Sequence, residues 1–212
     1  MKGDIIIVEE HHRRAARKIV YRILSEIQAR EGRYTIAIGG ESGSGKSELA
    51  KAITEVLEEK GVRCGIYQQD DYYVYPPKTN DATRRRDIEW VGPQEVRLDL
   101  LDEHLKAALD GKARIRKPLV IYEEDKITEE TMCLEGLKVV IAEGTYTALL
   151  SNVVKKIFIA RNRLETMETR RKRGREAMEP FIEKVLAIEH GIISAHKEEA
   201  DIIVTRDYDV EF

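Results

Sequence analysis

The sequence predicts an α/β fold, a three-layer sandwich with helices on both faces of a mainly parallel sheet. Three observations carry this. The runs "RYTIAIGG" (33–40), "LKVVIAEG" (137–144) and "KKIFIA" (155–160) are apolar and β-branched, as strands buried on both faces must be. Between them lie segments whose apolar residues recur at helical spacing. The glycine-rich stretch "GESGSGKSE" (40–48) falls directly between a strand and a helix, where something needs to approach the backbone closely.

Taken in order, the chain opens on "MKGDIIIVEE", too short and too acidic after its apolar centre for a secretory signal. The next stretch, "HHRRAARKIVYRILSEIQARE", is basic and amphipathic. Ala16, Ile19, Val20, Ile23, Leu24 and Ile27 share one face, and Glu26 and Glu31 speak against a targeting sequence. Residues 1–33 are therefore expected to form a strand-and-helix extension packed on a domain spanning 34–212, one domain overall.

The strand at 33–40 is followed by a helix at 47–61, with Leu49, Ile53, Val56 and Leu57 on one face and Gly61 as its stop. "VRCGIYQQD" (62–70) reads as a second strand. A helix is expected from Pro93 to Leu109, its proline suited to a first turn. "ARIRKPLVIYEEDKITEETMCLEG" reads as a hairpin, and strands follow at 137–144 and 155–160. A long helical stretch from Leu164 to Glu199 breaks near Gly174 and Pro180, and "ADIIVT" closes the sheet. No internal repeat or linker interrupts this order.

Composition narrows the function classes. The 212 residues are 42% hydrophobic and 35% charged, with a formal net charge of −3 that gives no global pull towards nucleic acid or an anionic membrane. No apolar run approaches the roughly 18–20 residues of a membrane span. Two cysteines far apart, Cys64 and Cys133, suit a reduced cytoplasmic setting. The five histidines show no metal-ligand spacing and read as surface or helix residues.

The glycine-rich stretch can now be interpreted. Gly40 to Ser47 spell G-x-x-x-x-G-K-S, the Walker A phosphate-binding loop, in the strand–loop–helix context that the motif requires. Glycines let successive N–H groups turn towards an anion, and the following helix N-terminus adds partial positive charge. Gly40, Glu41, Ser42, Gly43, Ser44, Gly45, Lys46, Ser47 and Glu48 are thus the expected ATP site, Lys46 reaching the outer phosphates and Ser47 ligating Mg²⁺. The fold class sharpens to a P-loop NTPase sandwich.

Binding is not yet a reaction. Asp70 and Asp71 end the second strand, where parallel sheets bind ligands; a carboxylate there can accept a proton from an attacking hydroxyl or help hold Mg²⁺. Glu143 ends the run "VVIAE" and suits the water shell of Mg²⁺. "RNRLETMETRRKRGRE" (161–176) places Arg170, Arg171, Arg173 and Arg175 around Gly174, as an arginine-rich lid would. Arg84 to Arg86, in "NDATRRRDIEW" (80–90), read either as a receptor for a phosphorylated or carboxylated acceptor or as a solvated loop tip.

Over roughly residues 34–205 the chain resembles the uridine kinase and phosphoribulokinase-like P-loop kinases. The likeness rests on "GESGSGKSE", on "QQDDYY" where uridine kinases have Q-D-S-F-Y, on "VVIAEG", on "RGRE" in the lid and on "EEADIIV". It implies an ATP-dependent phosphotransferase acting on an alcohol group, with Asp70 as catalytic base, Glu143 assisting Mg²⁺, and Arg173 and Arg175 clamping phosphate. Arg170 is the best match to the later lid arginine, and Tyr73 would line the acceptor site.

The sequence also departs from uridine kinases. Gln94, in "WVGPQEV", stands where their ribose-holding aspartate falls, in a stretch more like the F-G-P-E-A of phosphoribulokinases. Tyr122 matches their P-x-Y segment, but Lys126 and Ile127 occupy the region of the base-contacting histidine. The acceptor residues expected are therefore Tyr73, Arg84, Arg85, Gln94 and Tyr122. A pyrimidine nucleoside is the first expectation for the acceptor, and a sugar or sugar phosphate the second. From another class, a nucleotide-dependent switch or NTPase would bind a macromolecular partner through the basic lid and the N-terminal helix. Neither nucleic acid nor membrane is expected as a partner, and self-association through the N-terminal helix is.

Overall fold

A computed structural model describes residues 6–167 and 179–212. Helix α1 (Glu10–Ala29) leads into strand β1 (Tyr34–Gly40), helix α2 (Lys46–Glu58) and strand β2 (Cys64–Gln68). Then come α3 (Pro77–Arg86), α4 (Leu98–Leu109), β3 (Arg114–Ile121), β4 (Lys126–Cys133), β5 (Val139–Glu143) and β6 (Lys155–Ile159). Helix α5 (Pro180–Ile193) and strands β7 (Ile202–Val204) and β8 (Val210–Glu211) complete the order. Six strands form one sheet in the order β2-β5-β1-β6-β7-β8, parallel except for β8, while β3 and β4 pair as a separate antiparallel hairpin.

The alternation of side chains along the strands builds the three layers. Tyr34, Ile36 and Ile38 of β1, with Val139 and Ile141 of β5, face a core shared with α1 and α2. Val140, Ala142 and Phe158 point the other way, against Leu101 and Leu105 of α4 and the buried Tyr67, Tyr72 and Tyr146. Every residue of β1 is buried, which explains its unbroken apolar run. In the parallel register Ile38 lies beside Glu143, and both Gln68 and Ile38 flank that carboxylate at the strands' C-terminal ends.

Several elements differ from expectation, for physical reasons. The second strand stops at Gln68 and the chain turns through a 3₁₀ segment, Gln69–Tyr72. The helix expected from Pro93 begins only at Leu98. Residues 95–97 hydrogen-bond in extended fashion to 72–74 (Val74 N to Glu95 O, 2.8 Å; Arg97 N to Tyr72 O, 2.8 Å), which holds them out of helical conformation. The arginine run is helical rather than a loop tip: α3 receives its N-terminal cap from the hairpin turn, where Asp125 accepts from the N–H groups of Lys78 (2.6 Å) and Thr79 (3.2 Å) and from the Thr79 hydroxyl (2.8 Å). The break near Pro180 is present; Gly174 lies outside the described residues.

Three histidines are buried: His12 and His104 lie on helices α1 and α4, as expected of helix residues, and His196 lies in a 3₁₀ turn. His104 shares a 2.9 Å hydrogen bond with the hydroxyl of Tyr72. Helix α1 packs Ala15, Ala16, Ile19, Val20, Ile23 and Ile27 into the core it shares with α2. Its apolar face is thus covered within the chain, as the sequence reading expected of a packed helix. No helix among the described residues is long and apolar enough to cross a membrane.

Candidate functional site

The phosphate-binding loop turns directly from β1 into α2. Gly45 occupies the left-handed region (φ 96°), which admits glycine readily and side chains rarely, and α2 starts at the next residue. The first-turn N–H groups of α2 therefore open onto the cleft. Lys46 is buried, its ammonium donating to the Glu41 carbonyl at 2.9 Å. The Ser47 hydroxyl donates to Glu143 Oε1 at 3.0 Å. Burial, reinforced by the charge of Asp70 and opposed by Lys46 and the Ser47 hydrogen bond, pushes the Glu143 carboxyl up to about 7.

A cleft of about 470 Å³ spreads from this loop towards α3 and α5, lined at its near end by Ser42, Gly43, Lys46, Ser47, Asp70 and Glu143. Gly40, Glu41, Ser44, Gly45 and Glu48 form the body of the loop and the first turn of the helix without lining the cleft. The two adjacent aspartates separate cleanly. Asp70 lines the cleft, whereas Asp71 is buried beneath the hairpin, bound by Lys117 at 2.8 Å and by the Val120 N–H at 3.0 Å.

At the far end the structure brings together four of the five expected acceptor residues: Tyr73, Tyr122, Arg84 and Arg85. Arg84 sits largely buried, its guanidinium bound by Glu95 through two nitrogens (2.5 Å each) and by Glu189 of α5 at 3.1 Å. Arg85 pairs with Asp81 (2.7 Å) and Glu179 (2.8 Å) and lies 4.5 Å above the Phe181 ring. Gln94 requires a correction. It is exposed and outside the cleft, because its amide donates at 2.8 Å to the carbonyls of both Glu89 and Trp90.

Arg170, Arg171, Arg173 and Arg175 lie outside the described residues. The sequence reading missed Glu95, Glu189 and Glu179, whose partners stand on other elements and leave no local signature, and Asp81, which pairs with Arg85 one turn on in the same helix. It also missed His190, which shares a 2.6 Å hydrogen bond with the buried Glu41 and so ties α5 to the phosphate-binding loop.

The loop suits a polyphosphate. Ser44 Oγ is buried without a hydrogen-bond partner among the described residues, and a cation and a helix N-terminus converge beside it. The hydroxyl–carboxylate pair of Ser47 and Glu143 offers the hard oxygen donors that Mg²⁺ takes.

Residues 35–160 match the Phosphoribulokinase / Uridine kinase family. The chain is 31% identical over 191 residues to the "Bifunctional alpha-galactosidase/sucrose kinase AgaSK" of Mediterraneibacter gnavus, a match covering 84% of this chain and 20% of that enzyme's length. It is 30% identical over 180 residues to a uridine kinase of Mycoplasma pneumoniae, covering 80% of this chain and 83% of that one. Among solved structures, a D-glycerate 3-kinase from Cryptococcus neoformans shares the fold at a TM-score of 0.64 and 14% identity, over 92% of this chain and 98% of that one.

Proposed function

Since this chain belongs to the phosphoribulokinase/uridine kinase family of ATP-dependent phosphotransferases, we propose that it phosphorylates a hydroxyl of an uncharged polyhydroxylated metabolite, a sugar before a nucleoside. One observation carries the charge class: Arg84 and Arg85, the cations best placed to receive an anionic acceptor, are already paired within the protein. Releasing Arg84 to a substrate phosphate would strand the fully buried Glu95, and breaking a buried pair costs about 3–5 kcal/mol. The far end of the cleft also presents Asp81, Glu179 and Glu189 beside Lys78, Arg84 and Arg85, so its cations are matched one for one by carboxylates and leave no net positive charge for a phosphorylated acceptor.

Two features favour a sugar over a nucleoside. The lining of the cleft includes no histidine among the described residues, and Gln94 is turned away. The likeness to the sucrose kinase spans 84% of the chain. A pyrimidine nucleoside, the first expectation from the sequence, becomes the second reading, favoured by the uridine kinase likeness over 80% of the chain.

In this reading Asp70 takes the proton of the attacking hydroxyl. Lys46 and the N-terminus of α2 meet the charge that builds on the transferred phosphoryl group. Ser47 and Glu143 would hold Mg²⁺, which when bound neutralises the phosphate oxygens. Lid arginines Arg170, Arg173 and Arg175 complete the clamp.

ADP formation from Mg-ATP, measured against uncharged sugars, nucleosides and sugar phosphates with an Asp70→Asn variant alongside, tests this. Stimulation by an uncharged sugar, lost in the variant, is expected. Stimulation by nucleosides alone selects the second reading, and stimulation by a sugar phosphate overturns the charge argument. Steady hydrolysis that no acceptor stimulates and Asp70→Asn leaves unchanged would identify a nucleotide-dependent switch instead.

A further inference from the structure

We infer that His12 of α1 and Tyr208, in the turn between β7 and β8, form a hydrogen-bond relay that aims the phosphate-binding loop from behind. The relay leads from the first turn of α1 to a carbonyl of the loop. The Glu9 N–H donates to His12 Nδ1 at 3.0 Å, His12 Nε2 meets the Tyr208 hydroxyl at 3.2 Å, and that hydroxyl donates to the Ser44 carbonyl at 2.7 Å. Both side chains are buried, His12 6% and Tyr208 4% exposed.

The chemistry fixes every direction in the chain. A carbonyl only accepts, so the single Tyr208 proton goes to Ser44. His12 Nδ1 accepts from a backbone N–H, so the ring proton sits on Nε2 and is given to the Tyr208 oxygen. His12, Glu9 and His11 offer ligand atoms within 4.8 Å of one another, as a metal site would. Both ring nitrogens of His12 are engaged in the relay, however, and a metal would have to break it.

A trans peptide is a rigid plane whose C=O and N–H point in opposite directions, and no described peptide is cis. Holding the Ser44 carbonyl outward therefore turns the Gly45 N–H inward, to the concave side of the loop. That N–H has no acceptor among the described residues. The contact is also tight: a Cβ on Gly45 would lie 2.0 Å from the Tyr208 hydroxyl and 3.1 Å from His12 Nε2. Tyr208 itself holds a left-handed φ of 61° within a turn closed by Tyr208 N to Thr205 O (3.0 Å) and Thr205 N to Asp209 O (2.8 Å). That conformation is costly for a tyrosine, and here it directs the ring at the loop. The Arg161 guanidinium lies 5.5 Å from the ring and donates a long 3.5 Å hydrogen bond to its hydroxyl oxygen, and the His11 ring lies 4.3 Å from it. His12 and Tyr208 are thus positioning residues, and they give the N-terminal helix a part in nucleotide binding.

The inference rests on the kinase reading only in that the loop binds phosphate. The experiment is calorimetric titration of Mg-ADP into the full chain and its Tyr208→Phe, His12→Glu and His12→Gln variants, with thermal melts of each. Glutamate and glutamine both serve the capping position that His12 fills. Glutamate, however, accepts the Tyr208 proton and draws it from Ser44, while glutamine retains a donor. Tyr208→Phe and His12→Glu should weaken Mg-ADP binding roughly tenfold, the worth of one well-placed hydrogen bond, with cooperative melts preserved. His12→Gln should stay within about twofold of the original. Unchanged affinity in Tyr208→Phe overturns the relay, as does equal loss in the Glu and Gln variants, which would mark His12 as a packing residue only. An unaltered chain that fails to bind Mg-ADP would overturn the kinase reading itself, a separate result.

Discussion

Glu143 ends a fully buried strand, and burial beside Asp70 penalises its charge more than Lys46 and the Ser47 hydrogen bond relieve it. Its carboxyl stands at about 7 in the folded chain against 4.5 as the ordinary value. Between those two values the folded state holds the proton more tightly than the unfolded state does. The stabilisation is complete below pH 4.5 and is lost as pH rises through 7, by up to about 3 kcal/mol. Glu143 should therefore pull the urea midpoints of the nucleotide-free, Mg²⁺-free protein down between pH 5 and pH 8. His11, His104 and His196, whose imidazole pKa values burial lowers, pull the opposite way. Glu143→Gln should remove the downward part and make the slope more positive. A slope unchanged by the substitution would place the titrating group elsewhere. Asp70→Asn should lower kcat by about 10²–10⁴ while Mg-ADP affinity is retained, because the proposed mechanism gives it proton transfer and not phosphate binding. A matching loss of Mg-ADP affinity would instead make Asp70 a ligand-binding group. At this scale the sequence was legible where the backbone dictates residue type. The glycines, Lys46 and Ser47 follow from a loop that must wrap an anion, and Glu143 from a polar end to an apolar strand. It was illegible where partners are distant in sequence: Asp71 differs from Asp70 only because Lys117 and Val120 of the hairpin claim it.

Helix α3 shows the same division among elements. Its residues, "PKTNDATRRR", carry almost no apolar face, and its cap comes from Asp125, 46 and 47 positions on from the amides it receives. Its local signals are few, Pro77 in the first turn and the Asp81–Arg85 pair one turn apart, whereas strands buried on both faces announce themselves by composition. What holds α3 in place is charge: Arg84 joins it to Glu95 in the 3₁₀ turn before α4 and to Glu189 on α5, and Arg85 reaches Glu179 at the start of α5. Arg84→Met should strand two buried carboxylates and cost about 3–5 kcal/mol, lowering the thermal midpoint by roughly 6–20 °C for a chain of this size. Arg84→Lys should recover only part of this, since an ammonium cannot reproduce the two-nitrogen fork on Glu95. Differential scanning calorimetry of both variants decides the point. A loss below about 1 kcal/mol in Arg84→Met would mean that the pairs are screened like surface ion pairs, and that the arginine is available to an acceptor after all.

For the whole molecule, the question is whether α1 is an appendage or part of the core. The amphipathic stripe read from the sequence is the one the structure buries, apart from Leu24, which is only partly covered. Ile19, Ile23 and Ile27 are at most 2% exposed and share one cluster with Leu49, Ile53 and Leu57 of α2 and with the central strands. The helix therefore seals one face of the sandwich beside the phosphate-binding loop, and its neighbours would meet water without it. Ile19→Ala should cost about 2–5 kcal/mol, because the rigid surroundings cannot collapse onto the lost methylenes. At about 2–4 °C per kcal/mol, the thermal midpoint should drop by roughly 4–20 °C, with a single cooperative transition retained. Deleting residues 1–32 should leave an aggregating chain and not a smaller kinase, since it exposes the apolar surface of α2. A soluble deletion variant with an unshifted midpoint would show that the remaining residues close their own core and that the helix is dispensable to it. Light scattering belongs with the same measurement: the intact protein should gain no mass through α1 at micromolar concentration, because the face that would drive association is already packed against α2.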